Sequence, residues 1–154
     1  MHLTKVTLKN YGVYRDKVEF DLTTTSDKPV ILIGGTNGAG KTTLVRGILQ
    51  STGWEGPVTS PSYTLCEEYA FDNQLFLHVD LYRISELEDV EILDLDRKTA
   101  KQKIIFIEWP ENLLAKRFSH LIIELIHLDH KRRVIVKSDV TEIESLIKAH
   151  YEKT

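Results

Sequence analysis

Residues 34–44 read GGTNGAGKTTL, and how this stretch is read decides the fold. Gly35, four spacers, then Gly40, Lys41 and Thr42 satisfy the phosphate-binding pattern G-x-x-x-x-G-K-[ST]. Glycines permit the tight path that turns successive backbone N–H groups onto phosphate oxygens. Gly35, Thr36, Asn37, Gly38, Ala39, Gly40, Lys41, Thr42 and Thr43 are therefore the candidate nucleotide-binding residues. Lys41 offers a cation to the β- and γ-phosphates and Thr42 a hydroxyl to Mg²⁺. A helix starting here would point its positive dipole end at the same anion.

The flanks supply what such a loop needs. Pro29–Ile33 is a short apolar run and reads as a strand entering the loop. Leu44, Val45, Ile48 and Leu49 recur at helical spacing within Thr42–Gln50, and Gly53 is a plausible stop. Upstream, Leu3–Leu8 and Lys17–Leu22 alternate apolar and polar residues around Asn10, Tyr11 and Gly12, which predicts a hairpin. Downstream, Gln74–Asp80 and Lys103–Glu108 read as strands, with a short acidic-faced helix between them carrying Leu87, Val90, Glu91 and Leu93. Leu121–Leu128 and Arg133–Lys137 flank the polar turn DHKR as a second hairpin. A final helix is predicted from Asp139 and Glu142 as a capping box and Ile143, Leu146 and Ile147 as its apolar face. The sum is an α/β protein, a P-loop NTPase three-layer sandwich with a central mixed sheet and antiparallel hairpin additions.

Composition agrees with one domain over residues 1–154. The chain has 42% hydrophobic and 28% charged residues and contains no repeat or Pro/Gly-rich linker. No segment approaches the roughly 18 consecutive apolar residues of a membrane span, and MHLTKVTLKN lacks the apolar core of a secretory signal. A lone Cys66 makes no internal disulfide and fits a reducing compartment, so a cytoplasmic location is expected. The net charge of −3 provides no global attraction to nucleic acid, so DNA is not an expected partner.

Hydrolysis needs more than a cradle: a carboxylate to hold Mg²⁺ and a group to orient the attacking water. Asp80 in LFLHVDLYR and Glu108 in IIFIEWPE each end an apolar strand, where ligands of open α/β sheets bind. Asp80 is the better metal partner and Glu108 the better water-orienting base or second metal contact, with exchanged roles open. Lys41, Asp80 and Glu108 form the candidate catalytic set. Thr42, Ser62, Asp80 and Glu108 form the candidate metal set. His78 shares a sheet face with Asp80 if the strand is regular, and packing is its expected role. His127, Asp129 and His130 lack the further ligands of a zinc site and read as a solvated turn.

From Gly38 to about Lys137 the sequence resembles the TsaE family, small P-loop ATPases of bacterial tRNA modification. GAGKTTLVRGILQ, GPVTSPSYTLCEEY, FLHVDLYRISELEDVE and IIFIEWPE carry the likeness in order and spacing. The resemblance implies ATP or ADP with Mg²⁺ as ligands, and TsaB and TsaD as protein partners. It also implies an indirect link to tRNA through a complex that installs threonylcarbamoyl on the adenosine beside the anticodon. Ser62 stands where the family usually has threonine, which keeps the hydroxyl. Trp109 matches the family's tryptophan, with partner contact and packing as its two readings. Arg132 and Arg133 lie where the family approaches the nucleotide.

The opening, through about Leu44, resembles instead the N-terminal lobe of SMC-like ATPases of the DndD type, so the chain looks like a hybrid, a chimera joined at the shared P-loop. Tyr11, Tyr14 and Arg15 would then stand beside the base of the nucleotide or form a solvated turn. An SMC-type head working on DNA would need a segment close to LSGGQ and long heptads, and the sequence has neither. The alternative to a TsaE-like ATPase is a nucleotide-binding hybrid without turnover.

Overall fold

The computed structural model describes residues 5–8, 17–21, 30–84, 102–112, 119–129 and 131–138. The predicted helices around residues 87–93 and 139–147 lie outside this set, as do Tyr11, Tyr14 and Arg15. In chain order the elements are β1 (Lys5–Leu8), β2 (Val18–Asp21), β3 (Val30–Gly35), α1 (Lys41–Ser51), β4 (Cys66–Phe71), β5 (Gln74–Asp80), β6 (Gln102–Glu108), β7 (Ser119–Leu128) and β8 (Lys131–Ser138). β1 and β2 pair antiparallel as a separate ribbon, Lys5 opposite Asp21, as the alternation predicts.

The other six strands form one mixed sheet in the order β4-β5-β6-β3-β7-β8. β3 runs parallel to β6 on one side and to β7 on the other, and β5 runs parallel to β6. β4 and β8 close the two edges by antiparallel pairing. The P-loop strand is thus interior, buried on both faces, which is why VILI reads as an unbroken apolar run. Its two faces feed separate clusters. Ile31 and Ile33 join Phe76, Phe106, Leu121 and Ile123 beneath Leu44, Val45, Ile48 and Leu49 of α1. Val30 and Leu32 join Leu77, Val79, Ile105 and Ile107 on the opposite face.

Several expected boundaries move. Pro29 lies outside the described residues; β3, described from Val30, continues through Gly35, because both glycines still pair, with Glu124 and Leu125 of β7. The second hairpin turns more tightly than DHKR suggested: Leu128 pairs with Lys131, so β8 takes up two residues assigned to the turn. β4 was not expected at all. Its sequence CEEYAF buries only Tyr69, as an edge strand can. Its turn residues Asp72 and Asn73 both have positive φ, 48° and 64°, the conformation of a two-residue type I′ hairpin turn.

α1 is defined at both ends by glycine. Gly40 is the N-cap at φ 103°, and no side chain caps the helix there, leaving the first N–H groups to a ligand. At the other end Gly53 has φ 105°; its N–H donates to Gln50 O at 3.2 Å and that of Trp54 to Leu49 O at 3.1 Å. This pair of bonds is a Schellman motif, and it confirms Gly53 as the stop.

Gly35 is the position with least room. Its φ is 136°, and an added Cβ would lie 2.5 Å from the Leu125 carbonyl oxygen. The contact is with backbone, so no side-chain rotation relieves it. Gly35→Ala is expected to lower stability by about 2–3 kcal/mol, read from urea unfolding followed by circular dichroism; an unchanged midpoint would show that β3 and β7 separate freely here.

Candidate nucleotide-binding site

The site follows from sheet register. β5 and β6 are parallel and aligned so that Asp80 sits opposite Glu108, while Glu108 is also the partner of Ile33 in β3. Both acids therefore emerge at the strand ends from which the P-loop departs. A cleft of about 250 Å³ results, lined by Asn37, Gly38, Gly40, Lys41, Thr42, Thr43, Ser60, Ser62, Asp80 and Glu108. The cradle, the two acids and Ser62 thus meet in one place.

Three of the nine loop residues stand back from the cleft. Ala39 is buried in the core under α1, and its N–H donates to Thr36 O at 3.1 Å. Gly35 and Thr36 contribute carbonyls instead: Lys41 Nζ donates to Gly35 O at 2.8 Å and to Thr36 O at 3.2 Å. Arg132 pairs with His127 at the start of β8, and its side chain lies outside the described residues.

The polar groups of the cleft bond to one another. Thr42 Oγ1 donates to Glu108 Oε1 at 2.9 Å. Ser62 Oγ donates to Asp80 Oδ2 at 2.7 Å, and Ser60 Oγ lies 2.8 Å from Ser62 Oγ and 3.4 Å from the same Asp80 oxygen. The Tyr82 N–H donates to Asp80 Oδ1 at 2.9 Å, which fixes the carboxylate from the backbone. The serine loop is itself anchored, since Arg46 Nε on α1 donates to Val58 O at 3.0 Å. Ser60 was missed by sequence reasoning, although TSPS placed it two residues before Ser62.

His78 packs as expected and also makes a contact that was not expected. It is fully buried, but its Nε2 lies 2.8 Å from Glu108 Oε1, so it touches the candidate base rather than merely filling space. Against a carboxylate acceptor Nε2 carries the hydrogen, which leaves Nδ1 buried without a hydrogen-bond partner. Glu108 Oε1 thus accepts from both His78 and Thr42, fixing the carboxylate at the edge of the cleft. Strand alternation placed His78 beside Asp80; its partner on β6 depends on register between strands far apart in sequence.

Lys41 is buried, 5% exposed. Burial pushes its pKa below the usual 10.5, and the nearby Glu108, Asp80 and Glu111 carboxylates partly offset this. Its nearest ring is Trp109, with Nζ 3.9 Å from the centroid. Trp109 also packs against Tyr82 at 5.0 Å and against the second core cluster, which answers the packing half of its two readings.

These oxygens suit a hard cation: two carboxylates and two hydroxyls converge where phosphates would lie. Among the described residues no group of three or more His, Cys, Asp or Glu could hold a metal alone. His127 and Asp129 are exposed at the end of β7, and His130 lies outside the described residues.

A family model described as "Threonylcarbamoyl adenosine biosynthesis protein TsaE" matches residues 15–135. The chain belongs to the TsaE family. The match opens upstream of Gly38, taking in β2 and β3 along with the later motifs. The TsaE protein of Haemophilus influenzae is 43% identical over 82 residues, 53% of this chain and 52% of that protein. The TsaE protein of Mycobacterium tuberculosis is 34% identical over 112 residues, 66% of each chain. The chain therefore spans about half to two thirds of the length of these TsaE relatives. The crystal structure of YdiB from Bacillus subtilis superposes with a TM-score of 0.54 at 20% identity, over 82% of this chain and 79% of that one. That likeness shows a shared fold. Among the described residues no helix is long and apolar enough to cross a membrane.

Proposed function

We propose that this TsaE-family chain is a Mg²⁺-dependent ATP-binding and ATP-hydrolysing accessory subunit. In this reading it acts in the cytoplasm with TsaB and TsaD in tRNA threonylcarbamoyladenosine biosynthesis. The observation that carries the reading is the shared cleft, where Lys41 and Thr42 of the loop face Asp80 and Glu108 at aligned strand ends.

Bound Mg²⁺ would supply Lewis-acid neutralisation of charge on the phosphates, and Thr42, Ser62, Asp80 and Glu108 are the residues that would hold it. The uncapped N–H groups of α1 and Lys41 bind and orient the β- and γ-phosphates. Asp80, fixed by Tyr82 N–H and Ser62, holds its charge toward the metal position. Glu108, fixed by His78, orients the attacking water and accepts its proton.

The test is ATP hydrolysis by the purified chain with Mg²⁺, alone and with added TsaB and TsaD, using Lys41→Ala as the blank. Turnover above the blank that rises with the partners is the expected result. Nucleotide binding without turnover in either condition would instead favour the alternative, a nucleotide-binding hybrid whose opening segment has displaced its original task.

A further inference from the structure

The Lys41 ammonium has three hydrogens and, in this structure, two carbonyls and one aromatic face. Nζ donates to Gly35 O and Thr36 O and lies 3.9 Å from the centre of the Trp109 ring. At 5% exposure these contacts stand in for hydration.

Trp109 is held in an unusual way. Its φ is 59°, a left-handed conformation that a bulky residue keeps only when its surroundings impose it. Tyr82 packs against the ring at 5.0 Å, and the preceding residue is Glu108, the end of β6. Trp109 does not line the cleft. Its side chain meets the cleft through Lys41.

We propose that Trp109 is a positioning residue that holds Lys41 in the empty site and releases it to the phosphates. The proposal rests on the nucleotide reading given above. An aromatic face is a weaker partner for an ammonium hydrogen than a carbonyl oxygen, so the hydrogen facing the indole is the one transferred to a phosphate oxygen. The contact then stabilises the empty state and is lost in the filled one. Removing it tightens nucleotide binding, the opposite of what loss of ordinary site packing does.

The experiment is calorimetric titration of Mg-ADP into the native chain, Trp109→Phe and Trp109→Leu, with circular dichroism to verify folding. The leucine variant is expected to bind about three- to tenfold more tightly than the native chain, and the phenylalanine variant, which keeps a smaller aromatic face, to fall between them. Equal or weaker binding by a folded leucine variant overturns the proposal.

A second measurement needs no change at residue 109. The chain has 2 tryptophans, so Trp54→Phe leaves Trp109 as the single tryptophan emitter. Mg-ADP is expected to shift its emission as the ammonium departs, and Mg²⁺ alone to leave it in place; Mg-ADP binding with no shift overturns the proposal. If no chain binds Mg-ADP, the nucleotide reading fails and this inference with it. If all chains bind it equally, only the inference fails.

Discussion

Lys41→Ala is expected to weaken Mg-ATP binding by about ten- to a hundredfold, the loss of one or more charge-assisted hydrogen bonds to phosphate. Calorimetric titration reads it directly, and unchanged affinity would remove the loop from the site. The same substitution has a second, opposite effect. Burial lowers the pKa of Lys41 from 10.5, so the charged form is disfavoured in the folded chain relative to the unfolded one. That destabilisation is fully present below the folded pKa and fades as pH rises toward 10.5. The alanine variant is free of that cost, which offsets part of the packing it loses in the empty protein. A variant that binds poorly yet unfolds near the native midpoint would separate loss of function from loss of fold.

Glu108→Gln has the second large effect, on turnover. Glutamine keeps the shape and a carbonyl oxygen that can accept from His78 Nε2 and Thr42 Oγ1, now 2.8 and 2.9 Å from Glu108 Oε1. What it loses is the charge and the ability to take a proton from water. Hydrolysis at saturating Mg-ATP is expected to fall about 10²- to 10⁴-fold, while affinity changes by no more than a few-fold. An unaltered rate would take Glu108 off the catalytic list and leave Asp80 to be tested in the same way. A matched fall in affinity and rate would place Glu108 in metal holding instead.

The loop, the strand before it and the helix after it were legible because their signals are local. VILI, GAGKTT and Gly53 each specify backbone conformation within a few residues. Asp80 and Glu108 were legible for a related reason: each is a lone acid closing an apolar run. β4 was missed because CEEYAF buries little and so carries no apolar alternation. The adjacent pair Asp72 and Asn73, both tolerant of positive φ, was the available turn signal. The strand order was not legible, because no local pattern says that β6 lies between β5 and β3. His78 shows the consequence. Its face could be read from alternation, while its bond to Glu108 requires the register of two strands separated by more than twenty residues.

The bonds within the cleft bear on what can enter it. Thr42 is engaged with Glu108, Ser62 with Asp80, and Lys41 with the carbonyls of its own loop. A bare cation would have to part hydroxyls from carboxylates without giving Lys41 anything in return. A bare phosphate would draw Lys41 off the Trp109 ring and meet two unscreened acids. In the proposed reading, a ligand bringing both charges together would replace the bonds it breaks, so the cleft would favour the joined pair over either half alone.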